Sequence, residues 1–370
     1  MSSRLEFVQL ARQPGANIRA LCRQFHVAPA TAYKWLKRFE SSGEAGLADG
    51  SRRPHTSPSR SSPQLEAKVL SLNAANPHWG SRKLHALLSS EQANPHHSTI
   101  DAILHRHGRY VEHPPGESQA ARLRFEHEAP NDLWQMDFKG HFALTGGGPT
   151  RCHPLTILDD HSRFSLCLLA CPYERFVSVQ AALIETFRVY GMPIRITCDN
   201  GPPWGTSGNR TISRMDVWLT RLGIKASHSR SYHPQTQGKD ERFHRTLKYE
   251  LLSRTGFSSI QDCQLAFDLW RDRYNLIRPH EALDQRPPVT RYRTSARLYP
   301  ETLPPVEYPE GSIVRKVRGN ATISWKNKQY LVGEGLIGEH IELRPAAVDG
   351  IINLYFCDRN FGSLDLRKEG

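Results

Sequence analysis

Apolar positions along the first forty residues recur at helical spacing. Phe7, Leu10 and Ala11 fit one helical face, and Ile18, Leu21, Cys22 and Phe25 fit another. A short turn, Gln24-Phe25-His26-Val27-Ala28-Pro29, precedes a third helix from Ala30 to Phe39 that carries Tyr33, Trp35 and Leu36. Thr31, Lys34 and Lys37 fall among its exposed positions, so helix, tight turn and basic helix predict a helix-turn-helix unit over 1–48. Residues 49–63 break the period with Pro54, Pro58 and Pro63 and with Arg52, Arg53 and Arg60, and read as a basic Pro/Ser linker. A second helix-turn-helix unit is expected over 64–112. Its first helix opens at Ser62-Pro63, and the segment Ser98-Thr99-Ile100-Asp101 reads as a capping box opening its last.

The period then shortens. Trp134 to Phe138, Leu155 to Asp159 and Arg163 to Ala170 read as strands, followed by a helix at 174–190 and a strand at 195–199. Helices are expected near 213–222, 236–254 and 258–275, which makes 128–283 a mixed α/β layer structure. The Pro-rich segment 284–310 reads as a connector. Short β runs between Ile313 and Leu366 predict a small β-barrel over 310–368.

Charge adds a partner class. The 370 residues hold 49 Lys and Arg against 37 Asp and Glu, a formal net charge of +12, which favours phosphate backbones. No apolar run is long enough to span a membrane, and the first residues lack a secretory pattern, so an intracellular, soluble protein is expected. Seven scattered cysteines without a C-x-x-C pair predict buried thiols in a reducing compartment, with no zinc site.

Three carboxylates stand in unusual settings. Asp137 lies inside an apolar strand, where an unpaired charge is costly. Asp199 ends the run Ile194-Arg195-Ile196-Thr197-Cys198, and Glu241 sits on a helix among Lys239, Arg242, Arg245 and Lys248. Phosphodiester cleavage with two divalent ions needs several carboxylates converging from rigid elements.

The segments Leu133-Trp134-Gln135-Met136-Asp137, Leu158-Asp159-Asp160-His161-Ser162-Arg163, Cys198-Asp199-Asn200-Gly201 and His233 to Lys248 resemble bacterial insertion-sequence transposases with a retroviral-integrase-like catalytic core. Tyr274 to Leu283 is similar to the motif that closes that core, and the resemblance covers most of 1–290. It implies an RNase H-like fold for 128–283 and an Asp137, Asp199, Glu241 set that binds two Mg²⁺ or Mn²⁺ ions. It also implies strand cleavage and transfer at transposon ends. The expected architecture is therefore multidomain: tandem all-α helix-turn-helix units, a central α/β RNase H-like core and a C-terminal small β-barrel.

Two departures bear on the site. Between Asp199 and Glu241 lie 41 residues, more than the family's usual spacing, with the excess assigned to a lid at 201–211. Asp240 beside Glu241 makes the helix carboxylate ambiguous. At about 100° per residue, Gln237, Glu241, Arg245 and Lys248 share a sector, whereas Asp240 points toward the Phe243, Leu247, Leu251 stripe. Glu241 is thus the expected ligand, beside cations suited to phosphate. Asp159 and Asp160 are rivals for the strand role, with a salt bridge near Arg163 as the structural reading. His233 and His244 either contact DNA or pack.

The expected DNA contacts are Thr31, Lys34, Lys37, Arg52, Arg53, Lys239, Arg245 and Lys248. The expected partner is double-stranded DNA, transposon ends and target alike, bound by a homodimer or larger assembly in the cytoplasm. A catalytically inactive DNA-binding regulator is the alternative, and an RNase H-type nuclease a third.

Overall fold

The computed structural model describes residues 3–49, 60–89, 95–109, 126–199, 201, 203–204, 212–228 and 238–367. Arg52, Arg53, Asn200, His233 and most of the expected linker and lid lie outside them. The chain divides into two compact units, Met1–Ser62 and Pro63–Gly370.

In the first unit, α1 (Ser3–Ala11), α2 (Ile18–Gln24) and α3 (Pro29–Ser42) enclose Phe7, Val8, Cys22 and Ala32. Phe7 meets Phe25 and Trp35 edge-on at 5.5 and 5.7 Å, so the aromatic positions form the core. Asn17 caps α2 by accepting from the Ala20 amide at 3.1 Å. His26 takes the left-handed conformation at the turn, and Pro29 opens α3 where its missing N–H costs nothing. Lys34 and Lys37 stay exposed and Thr31 is half-buried.

The second unit begins with α4 (Pro63–Ala75), α5 (Ser81–Ser89) and α6 (His97–Arg106), which bury Val69, Trp79, Leu84, Leu88, Ile100 and Ile103. The expected capping box does not start α6. The helix begins at His97, two residues early, so Ser98 and Asp101 fall inside it and the His96 ring accepts from the Ser98 amide. The α4–α5 corner packs on the following layer through Arg273, which donates to Ala75 O at 2.8 Å and stacks over Trp79.

That layer is a six-stranded sheet. Its strands are β1 (Leu133–Phe138), β2 (Phe142–Ala143), β3 (Arg151–Asp159), β4 (Ser165–Cys171), β5 (Arg195–Cys198) and β6 (Lys225–His228). Antiparallel β4, β3 and β1 are followed by parallel β5 and β6, and β2 pairs with the start of β3. Parallel neighbours need helical crossovers, supplied by α7 (Phe176–Tyr190) before β5 and α8 (Arg214–Arg221) before β6. Trp134 and Met136 point to the α7–α8 face with Leu183, Phe187 and Trp218. Strand alternation sends Gln135 and Asp137 to the other face, which α9 (Gly238–Leu247) and α10 (Ile260–Leu276) cover with Phe243, Phe267 and Trp270. The helix expected as one piece over 236–254 changes at Lys248–Leu252 into a π-helical turn.

The connector is strapped to this layer. Tyr292 stacks on Phe164 at 4.3 Å, and Ser295 N and Arg297 O bond the backbone of Tyr190 and Met192. Gly191 makes room for it: φ is +73°, and a Cβ there would stand 2.5 Å from Ser295 O. Gly191→Ala should cost about 1–3 kcal/mol, read as a lower urea midpoint. An unchanged midpoint would mean the strap is not held at Gly191.

At the C-terminal end are β7 (Ile313–Lys316), β8 (Thr322–Trp325), β9 (Lys328–Leu331), β10 (His340–Pro345), β11 (Ile351–Phe356) and β12 (Arg359–Asp365). The expected barrel does not close. The order β12-β11-β10-β7 makes an open four-stranded sheet, and β8–β9 is a separate hairpin turning through left-handed Lys326 and Asn327. Its core takes Val217 from α8, so the exposed face of a sheet is covered by a helix of the central layer instead of by its own closure. Among the described residues no helix is long and apolar enough to cross a membrane. The seven cysteines are free thiols, and all but Cys357 are buried.

Candidate active site

Parallel pairing of β1 with β5 matches Leu133 to Arg195 and Gln135 to Thr197. Continued by two residues, that register brings Asp199 level with Asp137. Both carboxylates therefore leave adjacent strand ends, on the side of the sheet that α9 crosses.

Asp137 keeps 26% of its side chain exposed. Its carboxyl is pushed up to about 7, first by burial, then by the negative charge of Asp199, with Glu174 and Glu241 adding to it. These contributions place Asp199 and Glu241 each within electrostatic reach of Asp137. Among the described residues, however, no three His, Cys, Asp or Glu side chains close into a ligating group. Glu241 is exposed on α9 with Arg242 and Arg245, and Lys248 is exposed at the start of the π-helical turn that follows.

Asp199 is held by its surroundings. Its Oδ1 accepts from Gly201 N at 3.0 Å, and its backbone carbonyl accepts from the His228 ring at 2.9 Å. Burial raises its carboxyl above the usual range, while His228 pulls the other way. His228 bonds Asp216 at 3.0 Å, and that partner pushes the imidazole up to about 11, so His228 is a fixed cation behind Asp199. Asp216 itself is held in place by the Ser213 capping box at the start of α8.

Asp240 lies with Phe243 and Leu247 on the buried side of α9. Its Oδ1 has no hydrogen-bond partner, and burial with Asp137 and Asp160 nearby raises it well above the ordinary carboxylate range. His244 bonds Thr156 at 2.8 Å and stands 3.9 Å from Asp137. Burial lowers its ring to about 4, so it packs as a neutral group and forms no ion pair despite that distance.

Two expectations change here. Asp159 and Asp160 do not pair with Arg163, which turns to Glu126 at 2.9 Å. Asp159 instead ties the β3–β4 turn, accepting from Ser162 N at 2.8 Å and Asn131 N at 2.7 Å. Asp160 pairs with Lys239 at 2.5 Å. Lys239, expected to meet phosphate, is turned inward, because a carboxylate buried to 2% exposure requires a counter-charge.

Sequence reasoning missed Glu174, whose charge acts on both Asp137 and Asp199, and the Asp216–His228 pair behind Asp199. Ser213-x-x-Asp216 was a readable capping signal. Nothing in the sequence marked Glu174.

Oxygen-only donors suit a hard divalent cation. The raised carboxyl of Asp137 among like charges is the imbalance that such a cation would relieve.

Integrase core domain models match residues 127–234 and 222–288. A helix-turn-helix domain model matches 3–55, a homeodomain-like domain model 31–104, and a model for the C-terminal domain of IS481 family transposases 312–370. The chain is 27% identical to an uncharacterized 39.2 kDa protein of insertion element IS476 from Xanthomonas euvesicatoria, over 68% of this chain and 71% of that one. It is 26% identical to an uncharacterized 31.7 kDa protein of insertion element IS407 from Burkholderia multivorans, over 60% and 79%. Among solved structures, the HTLV-2 integrase catalytic core domain in complex with magnesium aligns at TM-score 0.34 and 16% identity, over 44% of this chain and 97% of that one. With matches to helix-turn-helix, integrase core and IS481 transposase C-terminal domain models in sequence, the chain is similar to the insertion-sequence transposases that carry an integrase core.

Proposed function

We propose that the protein is a DNA transposase that cuts at transposon ends and transfers the freed strands into target DNA, with Asp137, Asp199 and Glu241 as its catalytic carboxylates. The observation that supports this reading is that Asp137 stands within electrostatic reach both of Asp199 on the adjacent strand end and of Glu241 on the facing helix. The surrounding α/β layer reads as an RNase H-like core over 128–283.

Asp137, Asp199 and Glu241 would hold two Mg²⁺ or Mn²⁺ ions. When bound, such ions supply the positive charge that steadies the attacking and leaving oxygens of an in-line phosphodiester displacement. The chain's own groups do the rest. His228, paired with Asp216, fixes the backbone at Asp199. Arg245, exposed on the same helix as Glu241, and Lys248, exposed on the turn that follows it, orient DNA phosphates. Thr31, Lys34 and Lys37 on α3 contact duplex DNA, with Arg52 and Arg53 following the backbone from the linker. Water first attacks the phosphodiester and frees a 3′ hydroxyl. That hydroxyl then attacks target DNA, and no covalent enzyme intermediate forms. Joining two ends calls for a homodimer or larger assembly, acting in the cytoplasm.

Terminal repeats flanking the gene would supply the test substrate. Incubated with a labelled end duplex, the protein should release a 3′ hydroxyl in Mg²⁺ and none in a chelator. A folded, end-bound protein that leaves the duplex intact in Mg²⁺ would instead mark a DNA-binding regulator.

A further inference from the structure

A buried polar chain crosses beneath the carboxylates. Gln135, two residues before Asp137 on the same face of β1, donates through Nε2 to Asp160 Oδ1 at 2.8 Å. Lys239, two residues before Glu241 at the start of α9, reaches the same oxygen at 2.5 Å and the Asp160 carbonyl at 3.2 Å. Asp160 is itself tied down: its Oδ2 accepts from His127 N at 2.9 Å, and its own amide donates to Leu133 O at 3.0 Å. Gln135, Asp160 and Asp240 are all almost wholly buried.

We propose that Lys239 is a positioning residue, whose ion pair with Asp160 clamps the first turn of α9 to the strand of Asp137 and thereby sets where Glu241 stands. The inference rests on the transposase reading for what Glu241 does, but its geometry is independent of that reading.

Three features argue for it. The lysine side chain keeps only 17% of its surface, so its charge is spent inside the protein. A cation neutralised by a buried carboxylate releases no counterions from DNA. The clamp also joins the two elements whose spacing matters most, because Asp137 rides on β1 and Glu241 on α9, each two residues from its end of the chain. Groups that orient a ligand carboxylate without touching the metal usually matter about 10- to 100-fold in activity or metal affinity.

The test uses the full chain and a cognate end duplex. Lys239→Met keeps the stem and removes the ammonium, Lys239→Arg keeps the charge, and D160N/K239M leaves no unpaired buried charge. Three readouts are compared. End affinity against KCl without metal should keep its wild-type salt slope in Lys239→Met, where a phosphate contact would lower that slope by about one. Strand transfer should lose about 10- to 100-fold in kcat with KM for the end unchanged, and Lys239→Arg should recover most of it. Amide exchange at 238–242 should quicken in Lys239→Met. If Lys239→Met fails to fold, D160N/K239M gives the same three readings.

A lowered salt slope with intact kcat, or wild-type kcat and exchange in D160N/K239M, would overturn the proposal. Should the wild-type protein not cleave ends at all, the transposase reading falls, while salt slope and exchange still decide the place of Lys239.

Discussion

Asp137→Asn should lower DNA strand transfer by about 10³ or more, the scale on which losing one preorganised electrostatic group acts on a transition state. Asn keeps the shape of Asp137 and removes its charge, so the β1–β5 register and the packing against α9 persist. End binding should be untouched, because α1 to α3 form a unit with its own core. Asp199→Asn and Glu241→Gln should behave alike. If the three act as one set, double variants should be no worse than single ones. Full transfer by any of the three variants would remove that residue from the site.

The same Asp137→Asn change should stabilise the metal-free protein. In the unfolded chain this carboxyl loses its proton near 4, whereas in the folded protein it holds the proton up to about 7. Folding then works against ionisation, so this group's cost is absent below pH 4, grows between 4 and 7, and is complete above 7. A shift of that size corresponds to a ceiling of about 4 kcal/mol. At pH 8 in a chelator, Asp137→Asn should melt several degrees above wild type, and the gap should close toward pH 4. Mg²⁺ should raise the wild-type Tm and leave the variant's unchanged. A variant less stable than wild type at pH 8 without metal would show that the charge at Asp137 is already compensated by the protein.

The helical units were legible because their signals are local: a three- to four-residue apolar period, Pro29 at a helix start and aromatic residues that had to be buried. Strand β1 was legible for the same reason, since Trp134 and Met136 alternate with Gln135 and Asp137. Strand β6 was not, because Lys225-Ala226-Ser227-His228 has one apolar residue, and its place comes from pairing with β5. The open C-terminal sheets escaped for a related reason. Each strand was visible, but closure depends on which edges pair, and Val217 from a distant helix completes that core. At the site, a helical wheel separated Asp240 from Glu241 by angle alone. It left Lys239 among the phosphate contacts, because a wheel does not show that Asp160, some eighty residues earlier, lies buried beneath it. Glu174 follows a strand end with no motif around it.

The central claim is that Asp137, Asp199 and Glu241 hold the divalent ions, and iron-directed backbone cleavage tests it most directly. Fe²⁺ takes the place of Mg²⁺ at oxygen sites and, with ascorbate and peroxide, cuts the chain beside its ligands. Fragments ending near residues 137, 199 and 241, suppressed by excess Mg²⁺ and absent from Asp137→Asn, are the predicted result. Mg²⁺-suppressible cleavage at other carboxylates, with those three segments intact, would contradict the account.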